Sequence, residues 1–164
     1  MPCREEETSV FWIETDQELA DAVASWDNCV GLDTEFIRTD TFYPIPGLYQ
    51  VASADQVFLI DPLTIKDWQP LRMFLMDPST LIVMHACQED LEMLNHHMKV
   101  QPTSVVDTQF AYAFTGVDYS LSYANLVRRT IGVDLHKQET RSNWLQRPLS
   151  EEQLTYAADD VIYL

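Results

Sequence analysis

Apolar and polar positions change period along this chain, and the changes mark its elements. Thr15-Asp-Gln-Glu18 forms a capping box, in which the threonine side chain and the glutamate three residues on satisfy the first free backbone donors of a helix. The stretch it opens is amphipathic through Leu19, Val23 and Trp26, which predicts a helix over 16–26. Cys29-Val-Gly-Leu-Asp-Thr-Glu-Phe36 is short and flanked by turn-like residues, and reads as a strand. Pro44, Pro46 and Gly47 mark a loop. Leu48–Ser53 and Val57–Ile60 follow as two apolar runs around Ala54-Asp55-Gln56, an antiparallel hairpin that Asp61-Pro62 ends.

Helical spacing returns over 67–76 and stops before Asp77-Pro78, because a residue preceding proline is pushed out of the helical region. Leu81-Ile-Val-Met84 has strand length and no polar residue, and Cys87–His96 resumes helical spacing through Leu91 and Leu94. Val105-Val106 is a short buried strand running into Asp107, with helices expected near 108–114 and 122–131. Ser150-Glu-Glu-Gln153 is a second capping box, and Leu149 and Leu154 are placed to form a hydrophobic staple across it, so a helix starts at 151. A strand meander followed by strands alternating with helices predicts an α/β domain, a mixed sheet covered by helices. The last helix is still running at Val161-Ile-Tyr-Leu164 without a Gly, Asn or Pro stop, which suggests a chain cut at a domain edge.

The 164 residues, 46% of them hydrophobic, suit one soluble domain. No stretch approaches the roughly 20 apolar residues that span a bilayer. The first residues, Met-Pro-Cys-Arg-Glu-Glu-Glu, lack the basic start and apolar run of a signal peptide, so a cytoplasmic protein without a membrane partner is expected. Cys3, Cys29 and Cys87 are scattered, odd in number and free of any CxxC, and read as reduced thiols. The net charge of −16, from 10 basic and 26 acidic residues, argues against non-specific duplex binding, since phosphates attract Lys and Arg. It leaves room for one strand threaded into a metal site whose carboxylates the cations neutralise. Half of the basic residues, Arg128, Arg129, Lys137, Arg141 and Arg147, fall in one stretch of 20 residues.

Asp33 and Glu35 are two apart on a predicted strand, so both side chains point to one face beside the apolar Val30, Leu32 and Phe36. Two carboxylates beside a core repel each other unless a cation compensates, although such a pair by itself is as often a solvated strand edge. Tyr156 and Asp160 are four apart and share a face of the last helix; that spacing favours Asp160 over Asp159. Asp90 opens the helix after strand 81–84, where the helix dipole alone favours acids and where Glu89 and Glu92 compete with it.

Taken together, Asp-Thr-Glu-Phe ending a strand, His85-x4-Asp90 after another and Tyr156-x3-Asp160 on a late helix resemble the three exonuclease motifs of the DEDDy superfamily. The stretches GLDTEFIRT (31–39), HACQEDLE (85–92), VVDTQ (105–109), LSYANLV (121–127), KQETRSNWLQRPLS (137–150) and YAADDVIYL (156–164) are similar to the ribonuclease D family. The resemblance runs from about residue 10 to the end, with no departure at a motif residue. It implies a ribonuclease H-like fold and release of 3′-terminal nucleotides one at a time as 5′-monophosphates. It implies two ions, Mg²⁺ or Mn²⁺, about 3.5–4 Å apart. Asp33 would bridge both ions; Glu35 and Asp160 would complete the site of the attacking water. Asp90 would serve the second ion partly through water, as Mg²⁺ keeps some of its hydration. Tyr156 would position the water and accept its proton. Hard carboxylate oxygens suit these metals, and the lack of a His/Cys cluster argues against zinc.

Substrate contacts are less sharply marked. The family suggests that Phe36 and the turn after it hold the terminal base by stacking; core packing is the other role open to it. His85 is a substrate contact or a structural residue closing a strand, and Asp107 a helix cap or a support for a metal ligand. Lys137 and Arg141, with Arg147, surround Trp144 in a polar stretch bounded by Pro148. Cations around an aromatic suit a single strand, while a surface loop anchored by its tryptophan fits the same residues.

The expectation is therefore residues 1–164 as the 3′→5′ exonuclease domain of a longer protein, with helical nucleic-acid-binding domains absent. The substrate implied is an RNA 3′ end such as that of a tRNA precursor, with no obligate protein partner. A DNA exonuclease of the same superfamily is the near alternative, since no residue names a reader of the 2′-hydroxyl. A non-catalytic RNA-binding module is the distant one, disfavoured because all four carboxylates and Tyr156 are present. A metal-dependent phosphatase fits the carboxylates but not the three ordered motifs.

Overall fold

The computed structural model describes residues 8–39, 41–135 and 142–164. It contains strands β1 (Ser9–Ile13), β2 (Cys29–Ile37), β3 (Ile45–Ser53), β4 (Gln56–Ile60), β5 (Leu81–Met84) and β6 (Val105–Asp107). The helices are α1 (Asp16–Ser25), α2 (Gln69–Met76), α3 (Gln88–Met98), α4 (Thr108–Ala113), α5 (Tyr123–Ile131) and α6 (Glu151–Ile162). Both capping boxes form as the sequence predicts, Thr15 with Glu18 and Ser150 with Gln153.

The six strands make one mixed sheet in the order β1-β4-β3-β2-β5-β6. The β2–β3 and β3–β4 pairs are antiparallel, and the other three are parallel. Each face of the sheet has its own core. On one side Val30, Leu32, Tyr49, Val51, Ile60 and Ile82 meet Leu19, Leu71, Leu75, Met93 and Leu94 of α1, α2 and α3. On the other, Leu48, Val57 and Leu59 meet Ala157, Ala158 and Val161 of α6. Period-two alternation therefore sorts β2 cleanly: even-numbered side chains go to the three-helix side, odd-numbered ones to the α6 side.

The structure departs from the sequence pattern in two places. Pro46 and Gly47, read as loop, lie within β3, where the register skips a residue: Glu35 pairs with Leu48 but Phe36 with Pro46. Pro46 is tolerated at such an irregularity because the ladder needs no donor there. Ser9–Ile13 is an edge strand whose first residues are exposed, so it lacks the half-buried alternation that would reveal it.

Candidate active site

Odd-numbered β2 residues face α6, so Asp33 and Glu35 look toward the helix that carries Tyr156 and Asp160. Carboxylate oxygens of Asp33, Glu35 and Asp160 all lie within 4.8 Å of one another. The close approach depends on Gly31, one step earlier on the same face. A Cβ there would sit 2.9 Å from Leu164 Cβ and 3.0 Å from the Val161 carbonyl oxygen. Lack of a side chain at 31 thus lets the end of α6 settle on β2 and brings Asp160 over the pair.

Asp90 reaches the cluster from α3, at the C-terminal end of β5. It is buried at 8% exposure and accepts a hydrogen bond from the Thr34 hydroxyl, on the even-numbered face of β2. Its competitors are occupied elsewhere: Arg38 donates to Glu89 at 2.8 Å and to Glu92 at 2.6 Å on the outer side of α3. Asp160 is hydrogen-bonded to the Tyr156 hydroxyl one turn earlier.

The electrostatics are those of crowded acids. Burial, then the charges of Asp90, Asp160 and Glu35, push the Asp33 carboxyl well above the usual range. Burial, then Asp160 and Asp90, push Glu35 to about 8. Asp90 rises to about 6, chiefly through burial, with the Thr34 bond opposing. Asp160 also rises to about 6, again through burial and against the bond from Tyr156. Burial and the adjacent Asp160 push the Tyr156 phenol up, so it stays a hydrogen-bond donor. Four hard oxygen donors sharing unfavourable charge are the donor set a divalent cation such as Mg²⁺ relieves.

A cavity of about 390 Å³ opens over Asp33, Tyr156 and Asp160. Its other walls include His85, Ala86, Gln109, Ser122 and Tyr123. His85 is fixed in that wall: Nε2 donates to the Leu121 carbonyl at 3.0 Å, and Nδ1 lies 2.9 Å from Thr108 Oγ1. Asp107 caps α4 by accepting from the backbone of Gln109 and Phe110, and also takes the amides of Ala86 and Cys87 at 3.0 Å each. It thereby clamps the β5–α3 turn, where Ala86 has φ 51°, to the start of α4. Burial raises this carboxyl, but the Cys87, Ala86 and Gln109 amides outweigh burial and hold it low. Sequence reasoning assigned no role to Gln109, Ser122 or Tyr123; the signal available was only that all three fall inside stretches resembling the family.

The remaining sequence candidates are placed as follows. Phe36 lies against the three-helix core and is partly buried. Trp144 is only 4% exposed, packed in the α6-side core with its ring 6.1 Å from that of Tyr156. A Cβ on Gly47 would lie 2.5 Å from Trp144 Cβ, so the β3 irregularity is the seat of this tryptophan. Of the two roles the sequence left open, the structure gives Trp144 that of an anchor. Arg147 is likewise engaged within the protein. Its guanidinium donates to both Asp61 oxygens, at 2.6 and 2.7 Å, and to the carbonyls of Gly47 and Trp144. Lys137 and Arg141 lie outside the described residues. Cys29 and Cys87 are free thiols.

A DxE pair on one strand, an aspartate from a neighbouring helix and a Tyr-x3-Asp on a late helix are thus brought together, and the 3′-5′ exonuclease family model matches residues 10–164. The chain belongs to that family. It is 47% identical over 157 residues to ribonuclease D of Pseudomonas paraeruginosa, covering 94% of this chain and 42% of the relative. The crystal structure of Escherichia coli RNase D, described as an exoribonuclease involved in structured RNA processing, superposes with a TM-score of 0.87. It is 44% identical, over 93% of this chain and 41% of that one. Trypanosoma brucei RNase D in complex with RNA U12 superposes with a TM-score of 0.84 at 25% identity, over 94% and 60% of the two chains. The fold is thus the ribonuclease H-like one that the motifs implied. The chain spans about two fifths of the length of the bacterial relatives. Among the described residues, no helix is long and apolar enough to cross a membrane.

Proposed function

We propose that this chain is a cytoplasmic 3′→5′ exoribonuclease that removes 3′-terminal nucleotides as 5′-monophosphates, using two Mg²⁺ or Mn²⁺ ions. The observation that carries the reading is the convergence of the Asp33, Glu35 and Asp160 carboxylates, with Asp90 held behind Thr34, beside a cavity that Asp33, Tyr156 and Asp160 line. Structured RNA 3′ ends, tRNA precursors among them, are the substrates proposed, on the strength of the likeness to bacterial ribonuclease D.

Asp33, Glu35 and Asp160 would hold the ion that binds the attacking water, with Asp33 shared by the second ion and Asp90 completing that one. Divalent ions at such a site supply an activated water and neutralise charge on the departing 3′ oxygen. Tyr156, held protonated with its one proton donated to Asp160, would orient the water by accepting a hydrogen bond from it. That favours orientation over proton acceptance, the second role the motif suggested. Trp144 braces the Tyr156 ring, and the wall of His85, Gln109 and Tyr123 bounds the space for the terminal nucleotide.

The test uses 5′-labelled, 3′-extended RNA and the matching DNA, each with Mg²⁺, with Mn²⁺ and with EDTA. A one-nucleotide ladder from the 3′ end that disappears in EDTA is expected, stronger on RNA. A stronger ladder on DNA would reassign the substrate. RNA binding without any ladder, by this chain and by the longer protein, would make it a non-catalytic binding module.

A further inference from the structure

Gln50 lies in the middle of β3 and is fully buried, at 0% exposure. Both atoms of its side-chain amide, Nε2 and Oε1, lack a hydrogen-bond partner. The antiparallel register places it directly across from Asp33. Its strand neighbours of the same parity, Leu48 and Ala52, pack into the α6-side core, so Gln50 shares the face of Asp33 and Glu35. Directly opposed residues in an antiparallel pair have Cβ atoms about 4.5–5.5 Å apart, within reach of an amide on a glutamine stem. The register runs unbroken from Gly31 to Glu35, so the irregularity at Phe36 does not disturb this pairing.

We propose that Gln50 is a positioning residue for the site: its side-chain amide, unpartnered in this structure and directly across from Asp33, donates to Asp33 once divalent cations are bound and fixes the orientation in which that carboxylate holds them. This rests on the metal-site reading above and goes one step beyond it. Two of the other carboxylates already have side-chain partners, Thr34 for Asp90 and Tyr156 for Asp160, while Glu35 lies across the strand pair from the apolar Leu48. Asp33 receives the backbone N–H of Thr34, and the side chain facing it across the strand pair is Gln50. A carboxylate offers about four lone-pair directions, so a shared ligand retains one for a protein donor after ions take theirs. A buried amide without a partner costs free energy that an apolar residue would not. Its donor therefore has a use only toward a neighbour that accepts, and the group across the strand is Asp33. Metal ligands held by such outer hydrogen bonds commonly lose 10–100-fold in metal affinity or activity when the bond is removed.

Gln50→Met keeps the length of the side chain and deletes the amide; Gln50→Glu keeps the shape and replaces the donor with an acceptor. Free Mn²⁺ is titrated by electron paramagnetic resonance, kcat and KM are measured on 3′-extended RNA, and melting is recorded in EDTA. Expected for Gln50→Met are Mn²⁺ affinity and kcat each lower by about 10–100-fold, KM unchanged, and melting in EDTA equal to or above wild type. Gln50→Glu should bind Mn²⁺ no better than Gln50→Met, although it adds a carboxylate. In the wild-type protein the Gln50 side-chain amide resonances should shift on addition of Mg²⁺, a readout that needs no variant to fold. Wild-type Mn²⁺ affinity and kcat in Gln50→Met, or amide resonances that ignore Mg²⁺, would overturn the assignment. A wild-type protein that binds no Mn²⁺ would instead remove the metal-site reading itself.

Discussion

Glu35→Gln tests the crowding of acids most directly. Glutamine mimics the protonated carboxyl in size and hydrogen bonding but cannot ionise. In the folded protein Glu35 titrates near 8 rather than near its ordinary 4.5, through burial and the charges of Asp160 and Asp90. Its folded value lies above its unfolded one, so its contribution to stability is fully present below about pH 4.5 and is lost as pH rises toward 8. Between pH 4.5 and 7.5 the unfolded chain gives up this proton and the folded chain keeps it. That costs about 1.4 kcal/mol per pH unit, or about 4 kcal/mol across the interval. Glu35 is not fully buried, and water at its exposed edge reduces the expected figure to about 2–4 kcal/mol. Urea denaturation of both proteins in EDTA, at pH 4.5 and 7.5, measures it. Glu35→Gln should gain on wild type by about 2–4 kcal/mol as pH rises, and with Mg²⁺ present its nuclease activity should be abolished. A stability difference that stays constant with pH would refute the crowded-acid account.

Asp33→Asn should abolish turnover while leaving the circular dichroism spectrum unchanged and melting in EDTA equal or higher, because removing one carboxylate relieves repulsion; normal turnover would end its assignment as the shared ligand. Tyr156→Phe should lower kcat by about 10–100-fold without weakening Mn²⁺ binding equally, since it removes a water-orienting hydroxyl and no ligand. Gly31→Ala should cost about 1–3 kcal/mol and reduce kcat together, because its methyl would push against the Val161 carbonyl and move Asp160 off the pair. Unaltered melting and unaltered kcat in this variant would show that the approach of α6 is not set at Gly31.

What the sequence determined by itself is what depends on near neighbours. Capping boxes at Thr15 and Ser150 are satisfied within three residues, so they could be read before any fold was known. The common face of Asp33 and Glu35, and of Tyr156 and Asp160, follows from the strand and helix periods alone. Tertiary structure decided everything that pairs residues far apart. The Thr34–Asp90 bond joins residues 56 apart, and the clamp of Arg147 on Asp61 joins residues 86 apart. Trp144 became an anchor because a glycine happens to face it from β3, and Arg147 left the pool of substrate-facing cations because Asp61 is buried beside it. Gln50 showed no local signal at all: a glutamine in an apolar strand reads as an interruption until the register sets it opposite Asp33. Periodicity tells which way a side chain points, but only the packed sheet and its helices determine what it meets there.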